Sequence, residues 1–152
     1  MQQKHPSRQR GAVTIEFAAA FILFFTVMYG VLAYGIPMLV LQSFNDAAAA
    51  GARVALSVND SLGSQQYQAA LQDTVAQAVS SRLGWMPSRW YTGCSGGKYV
   101  AAPVAEGRYT RITVCVRYPA DATPLVPVLT LPGIGPVPRL PAVLQAQASL
   151  LL

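Results

Sequence analysis

The chain begins polar and basic, then turns apolar for a long stretch. From Phe17 to Leu41 it carries no charged residue. As a helix, those about 25 positions rise roughly 37 Å at ~1.5 Å each, more than the ~30 Å hydrocarbon core of a bilayer. The pattern predicts a transmembrane segment over about 17–41. Gly30, Gly35 and Pro37 are its weak points. Proline lacks an N–H and crowds the preceding turn, so a bend is expected near Pro37, which membrane helices tolerate. Tyr29 and Tyr34 approach the far interface, where amphipathic rings are favoured. Residues 42–57, "QSFNDAAAAGARVALS", are rich in alanine, the best helix former, so the helix should continue out of the membrane to about residue 57. Phe44, Ala47, Ala48, Gly51, Val54, Ala55 and Val58 recur at helical spacing and give a small, apolar face suited to close packing.

"VNDSLG" (58–63) reads as a turn, and "SQQYQAALQDTVAQAVSSRLG" (64–84) as an amphipathic helix. Its apolar face is Tyr67, Leu71, Val75, Ala78 and Val79, with Ser64 as N-cap and Gly84 as the stop. Beyond it the period changes to two. In "RYTRITVCVRYP", Ile112, Val114, Val116 and Tyr118 point one way, as in a half-buried strand. A preceding strand is expected near Lys98–Val104, confined to an edge by Pro103. The tail alternates too, with Leu144, Ala146, Ala148, Leu150 and Leu152 on one side. Between these strands the prolines from Pro119 to Pro141 exclude a regular helix. That connection is apolar. Either its exposed Leu and Val rest on the membrane surface or a partner, or it folds back on its own core. The expected fold is α+β: a long N-terminal transmembrane helix continuing into a small exported domain with an amphipathic helix and an antiparallel sheet of a few strands.

Composition agrees with an anchored domain. Of 152 residues, 53% are hydrophobic and 11% charged, against roughly a quarter charged in a soluble domain. The net charge of +5 is partly a leader effect, because Lys4, Arg8 and Arg10 precede the apolar run with no acid among them. No basic stripe with interleaved aromatics follows, which sets nucleic-acid binding aside. The basic flank places the N-terminus in the cytoplasm and the residues after Leu41 outside. There, Cys94 and Cys115 are more readily a disulfide than a metal site. It would close a loop of about 20 residues and contribute roughly 3 kcal/mol. The single histidine, His5, lies in the leader. The acids beyond Asp46 are Asp60, Asp73, Glu106 and Asp121, with no paired spacing, and neither cysteine has a histidine to activate it. No catalytic centre, cofactor site or metal site is expected. Arg53 reads as a solvated cation at the outer interface or a partner contact, and Trp85 and Trp90 as core or interface anchors.

The candidate chemistry lies in "RGAVTIEF" (10–17). A secretory signal has an apolar region of only 7–15 residues, shorter than this one. A plain signal anchor explains the basic flank and the run but leaves Glu16 incidental, an interfacial acid near the positive end of a helix. A sharper reading gives Glu16 a partner cation. A cut between Gly11 and Ala12 would create an ammonium at Ala12 and make Glu16 the fifth residue. In a helical assembly that carboxylate can pair with a neighbouring subunit's new N-terminus and fix register in an apolar bundle, where a lone charge is poorly tolerated.

These residues resemble a type IV prepilin cleavage site: basic residues, Gly11, the small Ala12, Glu16 at the fifth position and the aromatic Phe17 at the sixth. More narrowly, the chain resembles the TadE-like minor pilins (pseudopilins) of tight-adherence, or Flp, pilus systems. Gly30–Gly35 matches their G-x-x-x-[FY]-G element, and "NDAAAAGARVA" from Asn45 matches their Ala-rich stretch. The resemblance covers roughly residues 8–56. Ala33 departs from it where the family often has an acid, and Ala49 and Ala50 where it often has a charged pair. The resemblance implies a leader at 1–11, a long helix at 12–57 and a periplasmic α+β domain at 58–152. It implies a single-pass protein of the bacterial inner membrane, with cytoplasmic N-terminus, cut after Gly11 by a prepilin peptidase. Its partners would be other minor pilins, the major Flp pilin and the inner-membrane assembly platform. It would be the peptidase's substrate and not itself an enzyme. TadF-like and short TadG-like proteins share these features. The rival is an uncleaved bitopic inner-membrane protein displaying a small periplasmic binding domain.

Overall fold

A single helix, α1 (Arg10–Ala55), runs 46 residues and dominates the molecule, reaching roughly 69 Å at ~1.5 Å per residue. The structure, a computed structural model, describes residues 10–59, 61–118, 125–131, 133 and 135–151. The basic leader with Lys4, His5 and Arg8 lies outside the described residues, as do Asp60, Asp121, Leu152 and residues 119–124 of the proline-rich connection. Residues 12–28 of α1 are exposed on every side. From Ala33 onward a stripe at spacings of three and four turns inward: Ala33, Pro37, Val40, Phe44, Ala47, Ala48, Gly51, Ala52 and Ala55. The helix continues through Pro37, whose ring is itself buried. The expected packing face is refined in one respect. The stripe passes through Ala52, leaving Val54 and Val58 half-buried on its flank.

Helix α2 (Ser64–Leu83) runs back along α1. Gly51 faces Val75 and Val79, and Asp46 faces Arg82. Leu71, Val75, Val79 and Leu83 are buried, while Tyr67 and Ala78 of the expected face are half-buried. The N-cap is Gly63 and not Ser64. The carbonyl of Gly63 accepts the Tyr67 N–H at 2.9 Å, so the chain turns helical one residue earlier than the hydroxyl suggested. Gly51 lets three elements meet: a Cβ there would stand 3.1 Å from the Cγ1 atoms of both Val75 and Val114.

The strands are β1 (Thr92–Gly93), β2 (Val104–Glu106), β3 (Tyr109–Arg117), β4 (Leu129–Leu131), β5 (Gly135–Val137) and β6 (Gln145–Leu151). Central β3 pairs antiparallel with β1 and β2 along one edge and with β6 along the other. Its alternation is as expected: Ile112, Val114, Val116 and Tyr118 face the helices and are buried. On β6 and just before it, Leu144 and Ala146 are buried, while Ala148 and Leu150 are half-buried. The edge strand expected at Lys98–Val104 lies later, at Val104–Glu106. The earlier part of the expected stretch also lies along β3, where the Ala101 N–H donates to the Thr113 carbonyl at 2.9 Å and the Cys115 N–H to the Tyr99 carbonyl at 2.8 Å, and Pro103, with no N–H, stands between this bridge and the ladder of Val104–Glu106. The proline-rich connection, expected to lack regular structure, contains the small antiparallel hairpin β4–β5. The core is Phe44, Leu71, Leu83, Val100, Ile112, Val114 and Val116, set between α1, α2 and the sheet. The architecture is α+β, with one helix among the described residues long and apolar enough to cross a membrane.

Candidate assembly helix and its anchored hairpin

The sequence-derived site residues fall on the free end of α1. Gly11 and Ala12 lie in its first turn. Ala12 and Glu16 are four residues apart and so share a face. Glu16 is the one carboxylate in the segment 12–28, and its side chain is exposed. Among the described residues none forms an ion pair with it. Around it the surface is apolar: Val13, Ile15, Phe17, Phe21, Ile22 and Phe24 are all more than half exposed. Thr26 returns its hydroxyl to the Ile22 carbonyl at 2.8 Å, so its polarity is spent within the helix. Phe17, Phe21 and Phe25 stack in sequence with ring centroids 6.3 and 6.2 Å apart. Sequence reasoning singled out Phe17 alone. The signal for the other two was their i, i+4 spacing. A helix end of this kind has no partner for its apolar side chains except lipid or other helices.

The far end of the exposed segment is marked by two tyrosines. The Tyr29 hydroxyl lies against the carbonyls of Pro127 and Val137, and the Tyr34 hydroxyl accepts the Arg139 N–H at 3.4 Å. Both rings thus bind the backbone of the β4–β5 hairpin. The proline-rich connection therefore folds back on α1, with Val126 and Pro138 buried, yet keeps Val128 and Leu129 exposed.

Cys94 and Cys115 stand at disulfide distance, with Cα atoms 5.6 Å apart and a separation of 21 positions in sequence. Cys115 is buried on central β3. The chain reaches Cys94 through Gly93, where any Cβ would run into the Lys98 carbonyl at 1.9 Å. This close approach closes the 93–98 turn. Burial raises the Tyr99 hydroxyl above its ordinary pKa of 10.0, and the neighbouring Tyr91 adds to the effect. Trp85 is exposed and Trp90 half-buried against the core. Arg53 is exposed. Two of the acids beyond the apolar run are paired at the surface, Asp46 with Arg82 at 3.2 Å and Glu106 with Arg111 at 2.8 Å. Exposed pairs of this kind add little stability. Sequence reasoning missed the first because its partners lie 36 residues apart.

Residues 11–53 match the model of the family described as TadE-like protein. Over this N-terminal helix the chain is similar to that family. The match spans nearly all of α1 and includes the Gly11–Phe17, Gly30–Gly35 and Asn45–Arg53 elements. The same stretch forms the helix that, among the described residues, is long and apolar enough to cross a membrane. No curated protein and no solved structure matches the chain. The TadE-like segment departs from the common pattern at Ala33, which is fully covered by the packed domain. An acid there would be a buried charge, so alanine suits this packing.

Proposed function

We propose that the chain is a minor pilin, or pseudopilin, that supports assembly of a Flp-type (tight-adherence) pilus. It inserts with a cytoplasmic N-terminus, so that its α+β domain is periplasmic. A membrane-embedded prepilin peptidase cuts after Gly11. The mature α1 then joins other minor pilins and the major Flp pilin at the inner-membrane assembly platform. The observation that carries this reading is the free end of α1: a segment exposed on all sides, apolar throughout, with one carboxylate at the fifth position after Gly11 and an aromatic ladder beside it. Its membership of the TadE-like match supports the same reading.

The proposed chemistry is non-covalent. In the bilayer, the new ammonium at Ala12 and the carboxylate of Glu16 are each costly alone. Paired between subunits, they satisfy one another and set the axial register, while the Phe17–Phe21–Phe25 ladder supplies apolar packing. The packed domain covers one stripe of α1 from Ala33 onward and leaves residues 12–28 open to neighbours. Cells lacking this chain should lose surface Flp pili, and the wild-type gene supplied in trans should restore them. Normal pilus number in the deletion strain would contradict an assembly role.

A further inference from the structure

We propose that the β4–β5 hairpin is an interfacial foot: it rests in the headgroup region of the outer face of the bilayer and sets how deeply α1 sits. The inference depends on α1 spanning the membrane but not on the pilin reading. The last basic residue before the apolar run is Arg10, which belongs among the near headgroups, and a ~30 Å core needs about 20 residues. Counted from Ala12, the span then ends near Val31, between Tyr29 and Tyr34, the two residues that hold the hairpin. A span counted from Phe17 would end near Ile36 and carry the hairpin into hydrocarbon. Lipid-exposed irregular backbone is not tolerated there. The first frame puts the hairpin at the boundary and the tyrosine rings in the aromatic belt.

The composition of the hairpin suits that depth. Residues 125–141 contain no acid, and their single charge is the basic Arg139, which favours anionic headgroups. Pro127, Pro136 and Pro138 have no N–H, so fewer donors lose water when this surface meets lipid. Val128 and Leu129 are 54% and 38% exposed. Beside Val128 an apolar cleft of about 200 Å³, lined by Tyr118, Leu125, Val126, Pro138 and Leu144, continues the surface. Tyr109 lies at the opposite end of β3 from Tyr118 and faces solvent.

The test places a fluorescent amino acid at Val128, Leu129, Tyr109 or Phe21 of the full chain, in phosphatidylethanolamine/phosphatidylglycerol vesicles carrying spin-labelled lipids. All four positions are exposed, so the probe displaces no core residue. Headgroup-proximal spin labels should quench the 128 and 129 probes at least threefold more than the 109 probe, and deep labels should quench the 21 probe. Quenching at 21 with none at 128 or 129 above that at 109 overturns the foot, whether those probes sit in water or under a second protein copy. No quenching at 21 overturns the membrane span itself and the foot with it.

Discussion

Replacing Glu16 with alanine should leave cleavage after Gly11 intact and cut incorporation of the chain into pili by at least tenfold. The proposed peptidase site, Gly11–Ala12, is one helical turn away, and the substitution leaves an exposed helical position helical. What is lost is the partner of the ammonium at Ala12. Breaking one half of a buried ion pair costs on the order of 3–5 kcal/mol, because the other charge stays desolvated. Each 1.4 kcal/mol is about tenfold in an equilibrium constant, so even partial burial at the assembly gives the expected loss. Glu16→Gln should behave like Glu16→Ala, since it keeps the shape and removes the charge. Immunoblots of sheared pili and of membranes, read side by side, separate the two effects. Normal incorporation of both variants would make Glu16 incidental.

Phe44→Ala should destabilise the packed α+β domain by about 3–5 kcal/mol, the range for truncating a buried aromatic. Phe44 is 0% exposed and lies in the stripe of α1 that receives both α2 and the sheet. Small neighbours on the same helix, Ala47, Ala48 and Gly51, cannot close the cavity, because their side chains have no reach. A domain of this size is stable by only about 5–15 kcal/mol, so the loss is a large fraction of the whole. Denaturant unfolding of the detergent-solubilised chain, with the disulfide intact, reads it as a lower midpoint. Val54→Ala, on the half-buried flank, should shift the midpoint much less. Equal shifts for the two would mean that the packing face is wrongly placed.

The elements that could be read from the sequence are those whose polarity alternates in contrast. β3 and β6 alternate at period two, α2 at period three to four, and each was placed within a residue or two. The TadE-like end of α1 was legible for a different reason: Gly11, Glu16 and Phe17 are chemically distinct residues at fixed spacing. The packing of Ala33, Pro37 and Val40 was not legible, because a uniformly apolar run gives no contrast between its lipid-facing and protein-facing sides. The β4–β5 hairpin was hidden for the opposite reason. Prolines argue against a ladder, and the Tyr29 and Tyr34 hydroxyls that meet the backbone of this hairpin and its flanks lie about a hundred residues earlier. The Ser64 hydroxyl is a cap signal that the structure does not use, because Gly63 takes the N-cap position and needs no side chain to do so.

The packed hairpin also bears on Glu16. A span that ends near Val31 begins near Ala12, which places the carboxylate about 6 Å inside the bilayer edge. At that depth a lone charge is costly, and a neighbouring subunit's ammonium is the compensation that the proposed assembly supplies.

The central claim is that this carboxylate becomes the fifth residue of a processed subunit. Intact mass and terminal peptide sequencing of the membrane-extracted protein, from cells with and without the prepilin peptidase, test it directly. The account predicts a chain starting at Ala12 when the peptidase is present and an uncut Gly11–Ala12 bond when it is absent. An uncut Gly11–Ala12 bond under both conditions would contradict it, and the chain would then be a bitopic membrane protein with an interfacial glutamate.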